Sequence, residues 1–138
     1  MKYLLTLFLC LFSVIAQSQE RDMLNDITSL KWQHRIIIVS EPQAGANAAA
    51  LLEQNVAEID ERDVIWFVIS GQTIKTNYAG DLSAGLRDTL LTQYALDDGE
   101  TILIGMDGGT KVRLNKLDLN ALLSAIDAMP MRQSEMRE

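Results

Sequence analysis

The sequence predicts an α/β domain built on a four-stranded mixed sheet, in the order β-α-β-α-β-β-α, with helices on both faces. Three observations predict it. Two runs, Ile36-Ile-Ile-Val39 and Val64-Ile-Trp-Phe-Val-Ile69, are apolar without alternation, as strands buried on both faces are. A helical pattern separates them, so they should pair in parallel through a right-handed crossover. Finally, Asp107-Gly108 sits between two strand-like stretches and marks a hairpin that completes the sheet with two antiparallel strands.

Residues 19–33 begin polar and end in Ile27, Leu30 and Trp32, a lead-in that packs one hydrophobic edge on the body. Arg35 opens the first strand and Glu41-Pro42 closes it. Residues 46–61 are Ala-rich, and Leu52, Val56 and Ile59 follow helical spacing. Residues 71–81 read as a loop or a short extra strand. Ser83 is placed to cap a second helix reaching about Leu96, with Leu86, Leu90 and Tyr94 along one side. Thr101–Met106 is the third strand. A type I′ turn at Asp107-Gly108 would need positive φ at both residues. On the return strand, Thr110–Leu114, Val112 and Leu114 point in while Lys111 and Arg113 point out, the alternation of an edge strand. Asp118 caps the last helix, which carries Leu119, Leu122, Leu123 and Ile126 and stops at Pro130, leaving residues 131–138 as a polar tail. That connectivity is the thioredoxin-like architecture.

Residues 1–18 read as a secretory signal. Lys2 precedes an apolar run from Tyr3 to Ala16, and Ala16-Gln17-Ser18 offers cleavage before Gln19. The expected location is therefore outside the cytoplasm, periplasmic or secreted, with residues 19–138 as a single domain and no permanent membrane anchor. Cys10, the only cysteine, lies in the signal, behind Leu9 rather than a small residue, which argues against lipidation. Processing would leave a chain without thiols. The whole chain has 138 residues, 48% of them hydrophobic, and a formal charge of −7, which makes it a poor nucleic-acid binder.

Leu30-Lys-Trp-Gln-His-Arg35, Leu103-Ile-Gly-Met-Asp-Gly-Gly-Thr-Lys-Val-Arg113 and Ile126-Asp-Ala-Met-Pro-Met-Arg-Gln-Ser-Glu-Met136 carry a family likeness. The chain resembles the P-DUDES family, exported thioredoxin-like domains of unknown function. Bacterial members are related to domains in animal sushi-repeat and matrix proteins. The resemblance implies fold and export and leaves activity open. A thioredoxin-type or peroxiredoxin-type redox site needs a thiolate at the first helix N-terminus. Ser40-Glu-Pro-Gln-Ala-Gly-Ala46 occupies that place without a cysteine. Gly99 and Glu100 stand where the redox family has its cis-proline. Dithiol oxidoreductase activity is thereby excluded.

The candidate ligand-binding residues are Arg35, Lys111, Arg113 and Arg132, with Met129 and Met131 beside them. Lys111 and Arg113 share one strand face. If the four cations converge they form a spot for a carboxylate, phosphate or sulfate. In that case, reversing Arg132 should abolish binding without unfolding the chain. The alternative is that Lys111 and Arg113 guard an open edge while Arg35 and Arg132 bond to Asp127 or Glu135. Asp97, Asp98 and Glu100 form an acidic cluster best read as a solvated loop. His34, the single histidine, has no hydrolase spacing around any serine. Met129, Met131 and Met136 carry thioethers that exported Cu(I) proteins use, though methionine also simply fills gaps. No catalytic residue, metal or cofactor is expected. The function expected is a non-redox binding module for a protein or a small anion. An enzyme using carboxylate and arginine chemistry, or a structural envelope or matrix-associated protein, is the alternative.

Overall fold

The computed structural model describes residues 23–42 and 47–138. The expected signal, with Cys10 and the cleavage point, lies outside these residues. A 3-10 turn, Ile27–Leu30, is capped by Asp26, whose carboxylate accepts the Thr28 N–H at 3.1 Å. The elements that follow are β1 (Arg35–Glu41), α1 (Ala48–Gln54), α2 (Val56–Glu61), β2 (Val64–Ser70) and β3 (Thr73–Thr76). Then come α3 (Leu86–Gln93), β4 (Thr101–Ile104), β5 (Thr110–Leu114), α4 (Leu119–Asp127) and α5 (Pro130–Glu135).

The sheet has five strands in the order β3-β2-β1-β4-β5, not four. β1 and β2 run parallel, Ile37 opposite Trp66, and β1 runs antiparallel to β4, Ile37 opposite Leu103. The added strand, β3, pairs antiparallel along β2. Its apolar content is one isoleucine in Thr-Ile-Lys-Thr, because an edge strand needs no apolar run when one ladder of backbone bonds holds it.

Side-chain alternation along the strands feeds two cores. Ile37, Val39, Val64, Trp66, Val68 and Leu103 meet Leu52, Ile59, Leu122 and Ile126 from α1, α2 and α4. Ile36, Ile38, Phe67, Ile69, Ile102 and Ile104 meet Ile27, Leu30, Leu86 and Leu90 from the lead-in and α3. Helices therefore do cover both faces, and Trp66 is a core residue.

Five local expectations are corrected. Ser83 does not cap the second helix: the residue at its cap is Gly85, and no side chain bonds the free N–H groups there. The helix over 46–61 is two helices broken at Asn55. Leu52 and Ile59 are buried, but Val56 is 53% exposed because the break turns it outward. The hairpin is not a two-residue turn: the Gly108 N–H donates to the Gly105 carbonyl at 3.0 Å, and of Asp107 and Gly108 only the glycine has positive φ, at 82°. Pro130 ends one helix and starts another. Its missing N–H costs nothing at the first helical position, so the supposed tail is α5. Finally, Trp32 does not pack with Ile27 and Leu30 and is 61% exposed.

Candidate functional site

Trp32 owes its exposure to its backbone. Its φ is 68°, a left-handed conformation costly for a bulky side chain. Two contacts hold it there. The Trp32 N–H donates to the Met106 carbonyl at 2.7 Å, tying the lead-in to the hairpin. Beside it, the Lys31 ammonium lies 5.6 Å from the indole centroid.

Next to this indole runs a groove of about 230 Å³, lined by Trp32, Met106, Met129, Pro130 and Met131, with Arg35 and Lys111 contributing charge. Four of the six sequence-predicted residues, Arg35, Lys111, Met129 and Met131, thus come together. Lys111 lies across Gly105, where a Cβ would stand 2.6 Å from Lys111 Cε. Its ammonium donates to Asp107 at 2.8 Å, and that bond holds the Asp107 carboxyl below its ordinary range.

Arg35 is 1% exposed. Its guanidinium donates to the Arg62 carbonyl at 2.9 Å and to Glu135 at 3.1 Å, while its Nε has no protein partner. Arg132 is buried and does not line the groove. It donates to Glu61 Oε1 at 2.7 Å, to Asp127 at 3.3 Å and to Glu135 at 3.4 Å. The partners considered for Arg35 and Arg132, Asp127 and Glu135, are among those found. A reversed charge at Arg132 would crowd a fourth carboxylate against these three. The expectation that this residue can be reversed without unfolding gives way to one of a damaged fold. Arg113 sits away from the groove, donating to Glu100 and to the Tyr94 carbonyl, each at 2.7 Å.

The third arginine of the network, Arg62, is absent from the sequence reading. It grips Asp127 with two parallel bonds of 2.9 Å and reaches Glu58 at 2.9 Å. The Asp127 carboxyl is held below its ordinary range, first by Arg62 and then by Arg132, against the opposing effect of burial. Glu61-Arg62-Asp63 looks like any solvated turn in sequence, so no local signal could single Arg62 out. Met106 was equally invisible as a groove residue, since it reads as the end of an apolar strand.

A second hollow, of about 130 Å³, opens on the other face of the sheet beside Lys31, His34, Gln93 and Tyr94. His34 Nδ1 is buried there without a protein partner. Burial raises the Tyr94 hydroxyl pKa, and the Asp26 charge adds to it. Among the described residues, no group of three or more His, Cys, Asp or Glu side chains is placed to hold a metal ion, and no helix is long and apolar enough to cross a membrane.

Fold and site together define a mixed α/β domain with an exposed aromatic and thioether groove at one end of its sheet. The chain belongs to the family described as a domain of unknown function (DUF4174), whose model matches residues 26–135. Comparison with curated proteins and with solved structures finds no match.

Proposed function

We propose that this protein is an exported, non-redox, thioredoxin-like binding module of the P-DUDES type, taking an apolar segment of a protein partner into the groove beside Trp32. Strained, exposed Trp32 carries this reading. Holding a large aromatic in the left-handed region and out of the core costs stability twice, and such strain concentrates where a side chain is presented for use. Tryptophan and methionine are the adaptable apolar contacts of binding surfaces. A small anion fits less well, because Arg35, Lys111, Arg113 and Arg132 each already hold a carboxylate.

The thioredoxin-like part rests on the β2-β1-β4-β5 arrangement, a parallel crossover pair followed by an antiparallel hairpin, with β3 added at one edge. The non-redox part rests on the start of α1, where the Ala48 N–H donates to the Glu41 carboxylate at 2.6 Å and no cysteine stands nearby in sequence. An enzymatic reading would want a carboxylate tuned toward neutral pH. Asp107, the carboxylate at both hollows, is shifted the other way.

Peptides selected from a random library against the protein should share an apolar anchor. They should lose at least tenfold in affinity against Trp32→Ser, the loss expected of a central aromatic contact worth more than about 1.4 kcal/mol. Unenriched peptides, or binding indifferent to Trp32, would sink the groove as the site. Export has its own test: the protein recovered from its cell should begin at Gln19. An intact Met1 on a cytoplasmic chain would overturn that part alone.

A further inference from the structure

Three thioethers from two distant segments share the groove. Met106 comes from the hairpin, and Met129 and Met131 flank Pro130 at the joint between α4 and α5. Met106 is buried and Met129 packs against one of the two cores, so packing explains their place; it does not explain Met131. Met131 is 46% exposed and fills no core gap. Pro130 fixes the backbone between Met129 and Met131, so both side chains are presented from a stiff joint.

Thioether sulfur is a neutral, soft ligand that selects soft ions such as Cu(I) and leaves hard divalent cations to carboxylates. We propose that the groove binds one soft monovalent cation, Cu(I) or its analogue Ag(I), through Met106, Met129 and Met131, with Trp32 beside them as the reporter. Two cationic side chains line the same groove, yet neither brings net charge. Lys111 is neutralised by Asp107 at 2.8 Å and Arg35 by Glu135 at 3.1 Å. The binding involves no redox step and, since thioethers carry no proton, releases none. Such a site departs from the cofactor-free expectation and needs only this chain, so it stands or falls apart from the protein partner.

The test is a titration of the processed protein with Ag(I), and with Cu(I) under reducing conditions against a chromogenic chelator. A Cys10→Ser background removes the one competing thiol from any unprocessed chain. One ion per chain should bind and quench the fluorescence of Trp32; Trp32→Leu should abolish the quench and leave buried Trp66 unaffected. Each of Met106→Leu, Met129→Leu and Met131→Leu should weaken binding about tenfold or more, since even an outer-shell loss costs metal sites about 10- to 100-fold. Leucine conserves the volume of methionine, and a cooperative melt verifies that each variant is folded. Affinity should stay flat between about pH 5.5 and 7.5, where histidine titrates. No uptake, or uptake retained by the triple leucine chain, overturns the proposal. So does affinity that falls on acidification and disappears in His34→Gln, which would move the ion to the other hollow. Peptide selection without Ag(I) separates the two readings: no peptide enriched while ion uptake persists removes only the partner.

Discussion

Replacing Asp127 with alanine should destabilise the protein by about 2–3 kcal/mol, a fall in Tm on the order of 10 °C. Asp127 is the shared anchor of Arg62 and Arg132, which are 8% and 4% exposed. Without it, two largely buried guanidiniums lose a carboxylate, and Arg62 loses both parallel bonds. The figure sits below the range for fully buried pairs because Asp127 is itself about one-third open to water, so solvent makes good part of the loss. Asp127→Asn keeps an acceptor without the charge and should recover part of the deficit. The same group sets an acid limb. Its folded pKa is lowered, so its contribution is fully present above the ordinary value of 3.8 and disappears as pH falls through the lowered one. Denaturant titrations at neutral and acid pH check both points: stability should fall with acidification, and less steeply in the alanine variant. An alanine variant as stable as the parent would reduce the network to surface decoration.

Phe67→Ala should cost more, about 3–5 kcal/mol, a large fraction of the whole stability of a domain this size. Phe67 lies at the centre of β2, fully buried, paired with Ile38 on one side and Thr76 on the other. Its ring belongs to the core beneath α3 with Leu86 and Leu90, so truncation leaves a cavity that rigid strands on both sides cannot close. Val56→Ala is the matched control. Val56 is 53% exposed at the joint of α1 and α2, and its loss should stay within about 0.5 kcal/mol. Urea midpoints of the two variants decide the matter. Equal midpoints would mean that the apolar run of β2 is not the core it forms here.

Relieving the backbone at Trp32 should leave the fold no less stable. A left-handed residue relieved by glycine usually gains, so a chain with glycine at that position should fold at least as well while losing the groove wall. Function and stability would then separate at one residue, as they do where strain is kept for use.

Much of this architecture is written locally. Ile36-Ile-Ile-Val39 and Val64–Ile69 can be buried strands and little else, because β-branched and aromatic runs without alternation suit neither a solvent-facing strand nor a short helix. Asp118 does cap α4, accepting the Ala121 N–H at 3.1 Å, and Val112 and Leu114 do point inward from β5. The Asp118 cap and the β5 alternation involve residues within a few positions of each other, so chain order carries them; the Ser83 cap, the two-residue turn and the unbroken helix over 46–61 fail because packing sets where each element starts, turns and breaks. β3 escapes because its stabilisation is a backbone ladder on a strand already formed, which no side-chain pattern announces.

The site divides the same way. The sequence by itself determined which residues were available for it: the basic side chains, the methionines around Pro130, and the lack of any thiol beyond Cys10. Only the tertiary structure decided which of them meet. Arg35 finds Glu135 and Arg62 finds Asp127 across 100 and 65 positions of chain, Lys111 joins the groove while Arg113 does not, and Trp32 is turned out to water by a bond to Met106. The reason is that charges and single aromatics have no periodicity. Their partners are set by how the crossover and the hairpin bring distant segments to one end of the sheet, and that is a property of the packed whole.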